Sequence, residues 1–124
     1  MPQGKFDHVK VIDGALAVTG TYDPRLAADE ELVGSVFIGF MIIQNDAAGH
    51  PTRVVDGVTK WAAGTSKFIG DVDPGQVAEQ GIVAGEKTRA IGISAQVTRD
   101  PTTPEVPPNV RYFTWCVDQK VEDA

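Results

Sequence analysis

Cysteine is almost absent: Cys116 is the single thiol in 124 residues, which excludes an intrachain disulfide and the cysteine-rich metal sites. Long hydrophobic runs are missing too. The longest apolar stretch, residues 32–43, is well short of the roughly 20 residues that a membrane-spanning helix needs. Positive charge is thin, with eleven Lys and Arg scattered singly against seventeen Asp and Glu. A chain of net charge −6 without a basic run has nothing to follow a phosphate backbone or an anionic lipid surface. Nucleic acid and membrane are therefore not expected partners. The N-terminus, Met-Pro-Gln-Gly-Lys-Phe-Asp-His, lacks the apolar core of a secretory signal, which favours a cytoplasmic or assembly-associated protein.

Catalytic patterns are equally scarce. His8 and His50 are the only histidines, and no Gly-x-Ser-x-Gly elbow occurs. A nucleophile needs a base and an orienting group within reach, and no residue is assigned a catalytic role. No enzyme activity and no cofactor are expected. Cys116, between Trp115 and Val117 in an expected strand, reads as a buried, inert thiol.

Glycine and proline are present in quantity, thirteen and eight, as in folds with many turns. Asp-Pro occurs at 23–24, 73–74 and 100–101, and each pair marks a strand end or a turn. Strands are predicted at 6–12 and 15–22, joined at the hairpin signal Asp13-Gly14. A long strand follows at 32–44, then a second hairpin at Asp56-Gly57 between 52–56 and 58–62. A short strand at 66–72 leads to Asp73-Pro74-Gly75, which fits a type II turn. Residues 89–99 alternate cleanly, with Arg89, Ile91, Ile93, Ala95, Val97 and Arg99 on one face and Thr88, Ala90, Gly92, Ser94, Gln96 and Thr98 on the other, as a half-buried antiparallel strand does. The last strand, 109–121, places Phe113, Trp115, Val117 and Val121 inward. Residues 23–31, with Asp23 as N-cap and Pro24 at the first helical position, can make a short helix, and 76–84 is ambiguous between helix and strand.

This pattern gives one domain over residues 1–124, all-β, an antiparallel two-sheet sandwich of seven to eight strands, immunoglobulin-like in broad architecture, with room for one short helix. A small β-barrel is the competing architecture. The order Gly20-Thr21-Tyr22, an apolar strand ending in Gln44, Asp56-Gly57, Trp61 and Pro74-Gly75 resembles small bacterial immunoglobulin-like sandwich proteins of unassigned function. The resemblance implies the fold and no activity. Members of that group often carry paired cysteines, and this chain departs from them there.

The run at 32–43 is apolar on both strand faces, so something is expected to pack on each side. The even face, Leu32, Val36, Ile38, Phe40 and Ile42, is assigned to the core. The odd face, Val33, Phe37, Met41 and Ile43, needs a second cover, either segment 24–31 or 76–86 of the same chain or another protein. The segment 100–109 holds four prolines. As the tip of a hairpin it would form a stiff extended arm, with Pro101, Pro104, Val106 and Pro107 as contact candidates. The leading expectation is a non-enzymatic protein that associates with itself or with assembly subunits. The alternative is a small-ligand or carbohydrate module using Trp61 and Tyr112 as platforms. Asp71 and Asp73, joined by Asp46 or Asp100, are the candidate calcium ligands.

Overall fold

Asp13 and Gly14 both adopt positive φ, +50° and +80°, the pair of left-handed conformations that a two-residue hairpin requires. They join β1 (Gln3–Ile12) to β2 (Ala15–Asp23) in a computed structural model that describes residues 1–123. The chain continues through β3 (Glu31–Leu32), β4 (Val36–Gln44), β5 (Arg53–Trp61), β6 (Lys67–Val72), α1 (Pro74–Gln80), β7 (Lys87–Arg99), β8 (Asn109–Lys120) and β9 (Glu122–Asp123). The first sheet has the order β6-β2-β1-β9. In the second, β4 pairs with β5 and β7, β8 takes the other side of β7, and β3 extends the β4 side along Thr98 and Arg99. The result is a two-sheet sandwich, as the turn spacing predicts, with one short helix.

The core lies between the sheets. On β4 the even residues Val36, Ile38, Phe40 and Ile42 are buried, as assigned. Phe40 lies across Gly57 and Gly70, where a Cβ would overlap its ring. That contact corrects the hairpin expected at Asp56-Gly57: β5 runs straight through, with Gly57 opposite Phe40. Glycine serves here as space for an aromatic ring. Trp115, from β8, reaches over Gly92 of β7 and Gly4 of β1, which likewise leave no room for a Cβ. It joins Phe6, Tyr22 and Phe68 in one aromatic cluster.

Two of the Asp-Pro sites depart from expectation. The helix expected at 23–31 does not form; that segment is irregular, Arg25 has φ +47°, and Leu26 is exposed. The helix starts instead at Asp73-Pro74, where a type II turn was expected. Asp73 caps it, its carboxylate accepting from the Gln76 N–H at 3.0 Å. Both sites carry the same capping signal. The difference lies downstream, where Val77 and Ile82 reach the core and hold the helix in place.

On β7 the structure decides between the two faces that the alternation marks. Thr88, Ala90, Gly92, Ser94, Gln96 and Thr98 face inward, while Ile91, Ile93, Ala95 and Val97 face outward. Of the buried polar groups Gln96 is bonded across the sandwich and Thr88 within its own sheet, while Ser94 Oγ has no partner among the described residues. Gln96 Oε1 accepts from the Tyr22 hydroxyl at 2.6 Å, and Thr88 Oγ1 accepts from Gln44 Nε2 at 2.9 Å. Gln44 also grips the segment after the helix through both the N–H and the C=O of Val83. On β8, Val117 is exposed although it was expected inward, and Cys116 is exposed rather than buried.

Candidate protein-binding face

The outward residues of the second sheet form a regular grid. Antiparallel pairing puts directly opposed side chains on the same face, so the register defines its rows. Lys60, Phe37, Ala95 and Tyr112 make the first row, and Val58, Gly39, Ile93 and Thr114 the second. Asp56, Met41, Ile91 and Cys116 make the third, and Val54, Ile43, Arg89 and Asp118 the fourth. Val97 and Val110 extend the face beyond the first row. Phe37 is 50% exposed, Ile93 44%, Val58 71% and Tyr112 71%.

Gly39 sits near the centre of this face, in a depression of about 440 Å³ bordered by Met41, Asp56, Val58 and Ile93, and an Ile93 methyl leans over it, 3.0 Å from where a Cβ would stand. Apart from Asp56, which lines the depression, charge lies at the margins. Lys60 Nζ lies 5.6 Å from the centre of the Phe37 ring, a cation–π contact across the β4–β5 pair. Arg89 Nε donates to Asp118 Oδ1 at 3.0 Å, and this bond holds the Asp118 carboxyl below its ordinary range while raising the guanidinium. At the far end Arg99 pairs with Glu31 at 2.7 Å.

Of the residues singled out in the sequence, Phe37, Met41 and Ile43 lie together on this face. Val33 stands at its corner, partly exposed, its N–H donating to Val97 O at 2.8 Å. Neither the 24–31 nor the 76–86 segment covers Phe37 or Met41, which stay exposed; the helix packs on β2 and β5 instead. Pro101, Pro104, Val106 and Pro107 are exposed on the β7–β8 connection. That connection is two successive turns, closed by Thr103 N–H to Asp100 O and Val106 N–H to Thr103 O, and not the extended arm that its prolines suggested. Asp100 stabilises the first turn by accepting from both the N–H and the hydroxyl of Thr102.

The paired-aromatic platform is corrected. Trp61 is 4% exposed and packs edge-on against Tyr22 in the core, so only Tyr112 is open to solvent. Asp71 is exposed on β6, and Asp73 is engaged as the helix cap. Among the described residues no three His, Cys, Asp or Glu side chains gather as metal ligands do. His8 is bonded to Glu122 at 2.8 Å, and His50 lies 3.8 Å from Asp46. Among the described residues no helix is long and apolar enough to cross a membrane.

The outward side chains of β5 and β7 were not singled out in the sequence. For β5 the signal is present in Val54-x-Asp56-x-Val58-x-Lys60 once 53–61 is taken as a single strand. For β7 it lies in the size of the opposite face: Ala90, Gly92 and Ser94 are small enough to lie beneath a large ring.

No protein-family model and no curated protein sequence matches the chain. Solved structures similar to it include a protein from Archaeoglobus fulgidus, with 10% identity, 98% of this chain and 96% of that chain covered, and a TM-score of 0.47. AggA, the major subunit of aggregative adherence fimbriae type I from Escherichia coli, has 8% identity, 98% and 94% coverage and a TM-score of 0.46. MtrC from Shewanella baltica has 12% identity, 98% and 22% coverage and a TM-score of 0.38. At these values none of the three bears on what the chain does.

Proposed function

We propose that this chain is a non-enzymatic structural or interaction protein that works by associating with other proteins through the outer face of its second sheet. The observation that carries the reading is the reversed facing of β7. A strand that turns Ile91, Ile93, Ala95 and Val97 to water while burying Thr88, Ser94, Gln96 and Thr98 runs against the usual division of an antiparallel sheet. Together with Phe37, Met41 and Val58 these side chains make a contiguous apolar patch, and patches of this kind on soluble proteins mark interaction sites. Completing the burial of a half-exposed Phe, Ile or Val contributes on the order of 1 kcal/mol each, so a few such residues supply a useful driving force. The charged pairs sit at the margin, as in a polar rim around an apolar centre.

The test is the native particle in the source cells. A tagged chain isolated under native conditions is expected in a particle larger than one copy, and Ile93→Asp, whose side chain points to water, is expected to abolish it while leaving the melting temperature nearly unchanged. A wild-type chain that runs as a single copy in its source defeats the reading.

A further inference from the structure

We infer that the occupant of this face is a second copy of the same chain, stacked sheet to sheet about a two-fold axis that runs along the strands between β4 and β7. The inference rests on the association reading above and adds to it the partner and the geometry.

Side-chain size carries the argument. In the first two rows of the central strands large and small residues alternate in opposite phase, Phe37 beside Ala95 and Gly39 beside Ile93, while the next two rows set large beside large, Met41 beside Ile91 and Ile43 beside Arg89. An axis lying between β4 and β7, in the plane of contact, sets β4 of one copy over β7 of the other at the same level. Phe37 then meets Ala95 of the second copy, and Ile93 of the second copy enters the hollow over Gly39. Because a two-fold contact is isologous, each fit occurs twice. Facing sheets stack about 10 Å apart with their strands rotated by roughly 30°, so the axis lies about 15° off the strands, and the rows nearest the point where the strands cross keep this match. At the margin, Lys60 comes to the exposed Tyr112 ring of the second copy, an ammonium against an aromatic ring.

Area is what a self-contact needs, and charge is the term it has to overcome. Four strands spaced at about 4.8 Å, over four full rows about 6.6 Å apart, give a flat footprint of roughly 19 by 26 Å, extended on two strands by Val97 and Val110. Side-chain relief enlarges this toward the roughly 800 Å² per partner that a stable interface buries. The chain carries −6 overall, which opposes self-association in general. The outward charges of β4, β5, β7 and β8 are nevertheless five basic against two acidic. The acidic surplus therefore lies away from this face, but the face itself is net basic, so two copies meet against a like-charge repulsion that the apolar contact has to outweigh and that salt weakens.

The test is sedimentation of the purified full chain at about 1–100 µM, a range that standard-size interfaces reach. The wild type is expected to show a monomer–dimer equilibrium. Gly39→Ile crowds both the hollow and the chain's own Ile93, whose methyl lies 3.0 Å from the added Cβ, and is expected to weaken the dimer about 100-fold, whereas the swapped pair Gly39→Ile with Ile93→Gly relieves both and restores it to within about tenfold. Ile93→Asp serves as the dissociating variant should Gly39→Ile lower the melting temperature. A wild-type chain that stays monomeric overturns the second-copy inference. If that same chain still runs in a larger particle in its source, the association reading stands without the second copy; a monomer in both settings ends both. Particles that grow without limit, or a dimer indifferent to Gly39→Ile, overturn the two-fold arrangement.

Discussion

The two sheets present opposite outer faces to water. The first shows Lys5, Lys10, Ala17, Thr19, Thr21, Lys67 and Asp71, with Ile69 its one large apolar side chain besides Ile12 at the hairpin end. The second shows Phe37, Met41, Val58, Ile91, Ile93 and Tyr112. Inward, the contrast runs the other way. The first sheet sends Phe6, Tyr22 and Phe68 into the core, while β7 sends in Ala90, Gly92 and Ser94. Space is limited between two sheets packed at interior density. Trp115 and its aromatic neighbours occupy it, so the strand beneath them has to be thin. The facing of β7 was thus chosen by size before polarity. Its apolar side chains were left outside, where a partner can use them.

The largest effect that sharpens this contrast compares the two faces of β4. Phe40→Ala is expected to cost about 3–5 kcal/mol in urea unfolding, the usual range for a buried aromatic ring. Phe37→Ala, three residues away on the outer face, is expected to cost well under about 1 kcal/mol at concentrations where the chain is monomeric. Equal losses would mean that the chain itself covers Phe37. The next effect concerns the polar inner row of β7. Gln96→Leu strands the buried Tyr22 hydroxyl, which donates to Gln96 at 2.6 Å, and is expected to cost about 1–3 kcal/mol by the same measurement. A neutral result would show that this row is not held by its hydrogen bonds.

A paired substitution compares the outer faces directly. Ile93→Lys and Thr19→Lys both place a charge on an outward position, and each is expected to change monomer stability by only about 0.5 kcal/mol. Light scattering is expected to show lost association for Ile93→Lys alone. An equal effect from Thr19→Lys would erase the distinction between the sheets.

The smallest effect lies outside both faces. The Asp46 carboxylate accepts from the His50 and Ala48 N–H groups and from the Thr52 hydroxyl, and the His50 amide is the main cause of its lowered pKa. A carboxyl that titrates lower in the folded than in the unfolded chain stabilises the fold above the ordinary value of 3.8 and loses that contribution as pH falls through its folded value. Asp46→Asn is expected to melt slightly below wild type at neutral pH, the gap closing below about pH 4. A gap independent of pH would assign the loop's stability to other contacts.

Much of the strand content was legible in local pattern, because β-branched and aromatic runs between turn signals need little context. Asp13-Gly14 formed its hairpin, and 89–99 with 109–121 paired as adjacent strands. Asp56-Gly57 carried the same local signal and failed, since Phe40 needed the open backbone of Gly57 for packing. Asp23-Pro24 and Asp73-Pro74 likewise shared a helix signal, and buried side chains downstream chose between them. For the candidate face, Phe37, Met41 and Ile43 were legible because no strand with one buried side needs apolar residues on both. Ile91 and Ile93 were not, because alternation marks two faces without saying which one is inside.

By itself the sequence determined an acidic all-β chain with one thiol, the places where most strands begin and end, and a core face for the strand at 36–44. These follow from composition, turn chemistry and a two-residue period, all of which act over a few residues. Only the tertiary structure decided that β7 buries its small, polar side, that Trp61 belongs to the core, and that four strands expose one continuous apolar face. Those outcomes depend on which rings compete for the space between the sheets, and that competition joins residues from distant parts of the chain.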